Sequence, residues 1–120
     1  MTIAGQAGHV NYGVIPSVVY TEPEVASVGK TEDELKAEGA DYVVGKFPFS
    51  ANGKAMGFGD ARGFVKVVAD AEHNEIIGAH MIGPEVTELL PVLTLAQKWD
   101  LTADEVARHV FAHPTLSESV

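Results

Sequence analysis

The chain has 120 residues, of which 46% are hydrophobic and 21% charged, with 8 Lys and Arg against 17 Asp and Glu and no cysteine. That is the composition of one globular domain with enough apolar residues for a core, and its formal charge of −9 excludes a basic face for nucleic acid or anionic lipid. The lack of cysteine excludes disulfides, thiolate metal ligands and a cysteine nucleophile within these residues, and it fits a reducing, cytoplasmic compartment.

The opening MTIAGQAGHVNY has no basic region followed by an apolar one, so it does not read as a secretory signal. From Gly13 the run GVIPSVVYT is β-branched and predicts an opening strand, with Pro16 confining it to an edge or a strand start, and residues 25–29 continue it. Thr31 begins Thr-Glu-Asp-Glu, a capping box with Glu34, which predicts a short helix over 31–38 stopped by Gly39. Residues 42–49 and 64–69 read as strands. The glycine-rich stretch ANGKAMGFGDARG between them reads as a mobile loop or long hairpin connection. A tight turn at 70–74 leads into a last strand, EIIGAHMIG, which Pro84 ends.

Val86, Leu89, Leu90, Leu93 and Ala96 recur at helical spacing and predict a helix over 85–99, kinked or shifted at Pro91. The longest uncharged apolar stretch, residues 89–97, is about half of the ~20 residues a membrane helix needs. Thr102 opens a second Thr-x-x-Glu box and predicts a helix over 103–111. Strands grouped ahead of a helical end place the chain in the α+β class, an antiparallel sheet with helices packed on it.

Two glycine motifs invite a nucleotide reading and fail it. Gly29-Lys30-Thr31 resembles the tail of a phosphate-binding loop, yet Glu24 stands where that loop needs glycine. Gly57 to Gly63 resembles a dinucleotide fingerprint, yet its last glycine comes one residue late and a strand follows instead of a helix. His109 and His113 are four apart, but Pro114 pushes His113 out of helical geometry, so the pair diverges and no metal site is read. His9, His73 and His80 have no partner at readable spacing.

The constellation that carries chemistry is His113-Pro114-Thr115-Leu116-Ser117-Glu118. An imidazole with a carboxylate five positions on can work as a general base, the carboxylate fixing the ring's tautomer and stabilising the imidazolium formed. Thr115-x-x-Glu118 is equally a capping box, in which case Glu118 begins a last short helix and His113 belongs to the loop before it.

The same six residues resemble the terminal signature of the pyridine nucleotide-disulfide oxidoreductases. YTEPEVASVG at 20–29 resembles the stretch opening that family's C-terminal dimerisation domain, and GAHMIGP at 78–84 resembles its final strand and turn. The resemblance covers nearly all of the chain from Gly5 onward. It implies a homodimeric flavoenzyme passing electrons from a dithiol, through a redox disulfide and FAD, to NAD. Dihydrolipoamide is the substrate it points to most closely, with a 2-oxo acid dehydrogenase complex as the assembly served. A glutathione reductase-like enzyme of the same family is the alternative, and a free-standing dimerisation module without chemistry is the alternative from another class.

By resemblance, His113 and Glu118 are the catalytic pair, reaching across the dimer to the other subunit's disulfide, and the His113 backbone with a cis Pro114 lies beside the flavin. The family's two glycine-rich nucleotide-binding folds and its C-x-x-x-x-C disulfide have no match here, so the chain alone is expected to bind neither FAD nor NAD and to turn over nothing. Residues 1–12 are expected to end a preceding segment, and 13–120 to form the interface domain, cut short before the family's last helix. Apolar surface for self-association is expected, with Met81, Leu93 and Phe111 at its edge.

Overall fold

The computed structural model describes all of residues 1–120. Two 3-10 turns, Thr2–Ala4 and Tyr12–Val14, lead into strands β1 (Ser17–Val19) and β2 (Glu24–Gly29), helix α1 (Glu32–Glu38) and strand β3 (Tyr42–Pro48). Helix α2 (Gly53–Phe58), strands β4 (Phe64–Asp70) and β5 (Ile76–Gly83), and helices α3 (Val86–Lys98) and α4 (Ala103–Ala107) follow, and a 3-10 turn at Leu116–Ser119 closes the chain. The strands form one sheet in the order β1-β2-β5-β4-β3, with every neighbouring pair antiparallel. This is the α+β sandwich expected from the grouping of strands and helices.

Alternation decides what each face of the sheet buries. Ala26, Val28, Val65, Ala79 and Met81 are paired across β2, β5 and β4 and are buried on the face that α3 covers. From α3 come Val86, Leu89, Leu90, Leu93 and Ala96, the stripe read from the sequence. The helix runs through Pro91 unbroken. An interior proline costs ~3 kcal/mol, whereas burying each large side chain of the stripe is worth ~1.5–3 kcal/mol, so the packing face wins. On the other face, Lys66 and Tyr42 hold α1 by its Glu32, at 3.0 and 3.3 Å.

Four expectations are corrected. The opening strand is two strands. Thr21 Oγ1 donates to Pro23 O at 2.8 Å around a cis Glu22–Pro23 bond, and the chain folds back so that Ser17 pairs with Ser27. The stretch read as a loop holds α2, whose N-terminus is capped by Asn52 Oδ1 accepting from Ala55 N at 2.9 Å and whose end is Gly59 at φ 75°. Glycine content argued against a helix there, and burial of Ala55 overrode it. The helix expected over 103–111 stops at Ala107, because Val106 is its one buried residue and continuing past it would bury nothing. Met81 and Leu93 lie in the core, at 2% and 0% exposed, and cannot edge an interface; Phe111 is half-buried.

Candidate functional site

Beyond α4 the chain runs without helix or strand and is pinned again at Leu116, which is buried in the core cluster. Thr115 Oγ1 donates to Ala112 O at 2.6 Å, and the His113–Pro114 bond between these two residues is cis. The turn beginning at Leu116 then carries Glu118 back over its own start. Glu118 Oε1 accepts from Thr115 N at 2.8 Å, and the carboxylate meets His113 Nδ1 at 2.9 and 3.1 Å. The two readings of this segment are therefore one geometry, since a single carboxylate both caps the turn and orients the imidazole.

The electrostatics follow from those bonds. The Thr115 N–H, and after it the hydrogen bond to His113, hold the Glu118 carboxyl below the ordinary carboxylate range. An ionised Glu118 accepts the Nδ1 proton, which leaves Nε2 of the neutral ring with its lone pair. The His113 side chain is 78% exposed and that of Glu118 33%, so the ring is open to whatever approaches it. Chemically, the arrangement can accept a proton from an incoming acid and return it.

Asn52 was missed by sequence reasoning. It is 5% exposed, and Nδ2 donates to Thr115 O at 3.0 Å and to Ser119 Oγ at 2.8 Å, gripping the terminal turn at both ends. Its N–H donates to Phe49 O at 2.9 Å. The Phe49 ring is buried against Gly83 at the end of β5, where a Cβ would lie 2.6 Å from Cε2. Asn52 immediately before Gly53-Lys54-Ala55 signals a helix cap, but its Nδ2 partners are 63 and 67 residues away and leave no local trace.

The remaining candidates take structural places. Gly29 ends β2 at φ 72°, packed against Ile77 O and the Gln97 side chain, and Thr31 caps α1, so this segment leaves no room for a phosphate. Gly59 terminates α2. His109 packs edge-on against Phe111 with ring centroids 4.9 Å apart, beyond the end of α4, and His80 Nε2 lies 3.0 Å from Lys30 O.

An antiparallel sheet packed with helices, with an outward His–Glu pair on the terminal turn, is the arrangement that the resemblance to the disulfide oxidoreductases implies. Residues 15–120 match the pyridine nucleotide-disulphide oxidoreductase dimerisation domain, and the chain belongs to that family. Among curated relatives, it is 56% identical over 110 residues to dihydrolipoyl dehydrogenase of Mycobacterium tuberculosis, covering 92% of this chain and 24% of that protein. It is 51% identical over 118 residues to the mitochondrial dihydrolipoyl dehydrogenase 1 of Arabidopsis thaliana, covering 98% of this chain and 23% of that one. The chain thus spans about a quarter of the length of these relatives. Its fold superposes on LpdA from Mycobacterium tuberculosis with a TM-score of 0.88 at 24% identity, covering 98% of this chain and 26% of that one. The HOCl-induced flavoprotein disulfide reductase RclA from Escherichia coli matches with a TM-score of 0.83 at 28% identity, over 88% of this chain and 24% of that one.

Proposed function

We propose that residues 13–120 are the interface domain of a homodimeric, cytoplasmic dihydrolipoyl dehydrogenase, and that they supply the acid/base pair for its dithiol half-reaction. Relatives of that name at 47–57% identity favour dihydrolipoamide over glutathione as the substrate. The observation that carries the reading is the 2.9 Å contact between His113 Nδ1 and Glu118 on an exposed turn.

A thiol is a weak nucleophile until deprotonated, and a free one is mostly protonated at neutral pH. His113 Nε2 takes the proton from one thiol of dihydrolipoamide, Glu118 holds the ring in the tautomer that can do so and stabilises the imidazolium, and the thiolate attacks a disulfide sulfur of the other subunit. That attack breaks the S–S bond, releasing one cysteine thiolate and leaving a mixed disulfide. The second thiol of the substrate then loses its proton and displaces the other cysteine thiolate, which closes the lipoamide disulfide and leaves the two electrons on the cysteine pair. FAD and NAD, when bound by the full-length enzyme, would supply the two-electron acceptor chemistry that this dithiol oxidation needs. We assign the flavin-adjacent place to the His113 backbone and Pro114 on the family resemblance, and their exposure on the terminal turn supports it. Neither glycine cluster fits the nucleotide phosphates, since Gly29 is packed against protein atoms and Gly59 ends a helix. Binding of FAD and NAD therefore falls to the rest of the full-length enzyme, whose setting is a 2-oxo acid dehydrogenase complex.

The test is His113→Gln in the full-length enzyme. Dihydrolipoamide oxidation should fall ~10²–10⁴-fold, the usual worth of a positioned base, while electron transfer from NADH to an artificial acceptor persists because it needs no dithiol proton. Glu118→Gln should cost less, since it removes the orienter and leaves the base. Equal loss of both activities in His113→Gln, with flavin still bound, would overturn the acid/base role.

A further inference from the structure

We infer that Asn52 is a positioning residue for the His113–Glu118 pair, clamping the terminal turn to a point fixed on the sheet. The inference rests on the acid/base reading above, and it concerns a residue that belongs to a different part of the chain.

Both hydrogens of the carboxamide and its oxygen are partnered. Its Nδ2 donates to Thr115 O and Ser119 Oγ, and its Oδ1 accepts from Ala55 N. Buried polar groups are costly unless bonded, and a fully bonded buried amide has little freedom to move. The residues it grips lie on either side of Glu118, and one of them, Thr115, is also the residue whose N–H holds the Glu118 carboxylate. Ser119 is itself 4% exposed, so the clamp is shielded from water although His113 is not.

The clamp has a rigid origin. Phe49 N donates to Gly63 O at 3.1 Å, its ring packs on Gly83, and its carbonyl holds Asn52 N. A continuous set of contacts thus runs from the end of β5 through Phe49 and Asn52 to Thr115 and Ser119, and from there to Glu118 and the imidazole. Capping α2 needs only Oδ1. The two donations from Nδ2 add nothing to that cap, and they are directed at the turn bearing Glu118.

Asn52→Asp separates the two roles, because it keeps the side-chain volume and the capping oxygen while replacing the donor with an oxygen that faces the Thr115 carbonyl. In this chain, ¹⁵N NMR of His113 in its neutral form should show the Nδ1-protonated tautomer giving way to the mixture of a free imidazole. The ¹³C titration of the Glu118 carboxyl should move up toward that of an ordinary glutamate. In the full-length enzyme, kcat for dihydrolipoamide should drop ~10- to 100-fold, the scale of a small misplacement of a catalytic group, with KM little changed and NADH-to-acceptor transfer retained.

Val68→Ala is the control. Val68 is fully buried and pairs with Gly78, five residues along β5 from Gly83. It should lower stability while leaving the tautomer and the Glu118 titration at their wild-type values. Should Asn52→Asp prove unable to fold, Ser119→Ala removes one arm of the clamp and should shift both NMR readouts in the same direction by less. Wild-type tautomer and titration in Asn52→Asp, or in Ser119→Ala where that variant stands in, would overturn the inference, as would an equal shift in Val68→Ala. Failure of the acid/base reading shows separately, as undiminished dihydrolipoamide oxidation in His113→Gln.

Discussion

At the residue scale, carboxylates in this protein are repeatedly given backbone N–H donors. Glu34, Glu105 and Glu118 each accept from the residue that starts their own turn, and Asp70 accepts from His73, Glu75 and Glu72 across the β4–β5 turn. Those bonds hold all four below the ordinary carboxylate range, and the Arg62 guanidinium beside Asp60 brings that group down to about 2. A carboxyl with a depressed folded-state pKa binds fewer protons folded than unfolded, so its stabilisation is present above the unfolded value of about 4. It is lost as pH falls through the folded value. Urea unfolding at a series of pH values should therefore show stability level near neutrality and declining from about pH 4 toward pH 2. Stability that rises over that interval would contradict the assignment. The same habit explains why His113 and Glu118 were legible together, since their bond spans five residues, whereas Asn52 meets its partners only after the chain has folded back on itself.

At the element scale, the helices do not all form for one reason. Capping boxes at Thr31 and Thr102 set the starts of α1 and α4, and both are visible in the sequence as Thr-x-x-Glu. Where a helix stops is decided by what it can bury, which is why α4 falls four residues short of its expected end. Helix α3 shows the contrast within a single element, because Leu93 is fully buried while Leu95, two residues on, is 59% exposed. Leu93→Ala should cost ~2–5 kcal/mol of stability from lost burial and the cavity left behind, and Leu95→Ala should stay within about 0.5 kcal/mol in the monomer. Denaturant unfolding of the two variants side by side measures both, and similar losses would mean that α3 is rotated from the orientation described.

At the scale of the whole molecule, large apolar side chains stand exposed at Leu95 of α3 and at Trp99 just beyond it. Leu95 and Leu101 border a groove that also takes in Val92, Val106 and Phe111, and no part of this chain covers it. A family defined by a dimerisation domain makes a second copy the expected cover, because a twofold dimer places one patch against itself. Sedimentation of this chain over a range of concentrations should show reversible self-association that Leu95→Glu weakens, with the fold intact by circular dichroism. Concentration-independent monomer for the wild type, or self-association indifferent to that change, would place the contact elsewhere. The expected edge residues Met81 and Leu93 failed because hydrophobic identity does not tell an inward from an outward side chain until the sheet and helix are packed.

The sequence by itself determined what is local: the α+β class from the grouping of its periodic segments, the two helix starts from their boxes, the stripe of α3, and the His113–Glu118 pair five residues apart. Each of these depends on interactions within a turn or two of chain, which residue spacing encodes directly. Tertiary structure alone decided the split of β1 from β2, the presence of α2 within a glycine-rich stretch, the early stop of α4, and the Asn52 clamp. The first three depend on what each segment pairs with or buries once the chain is packed, and the clamp on hydrogen bonds across 63 and 67 residues, none of which marks the spacing of neighbours.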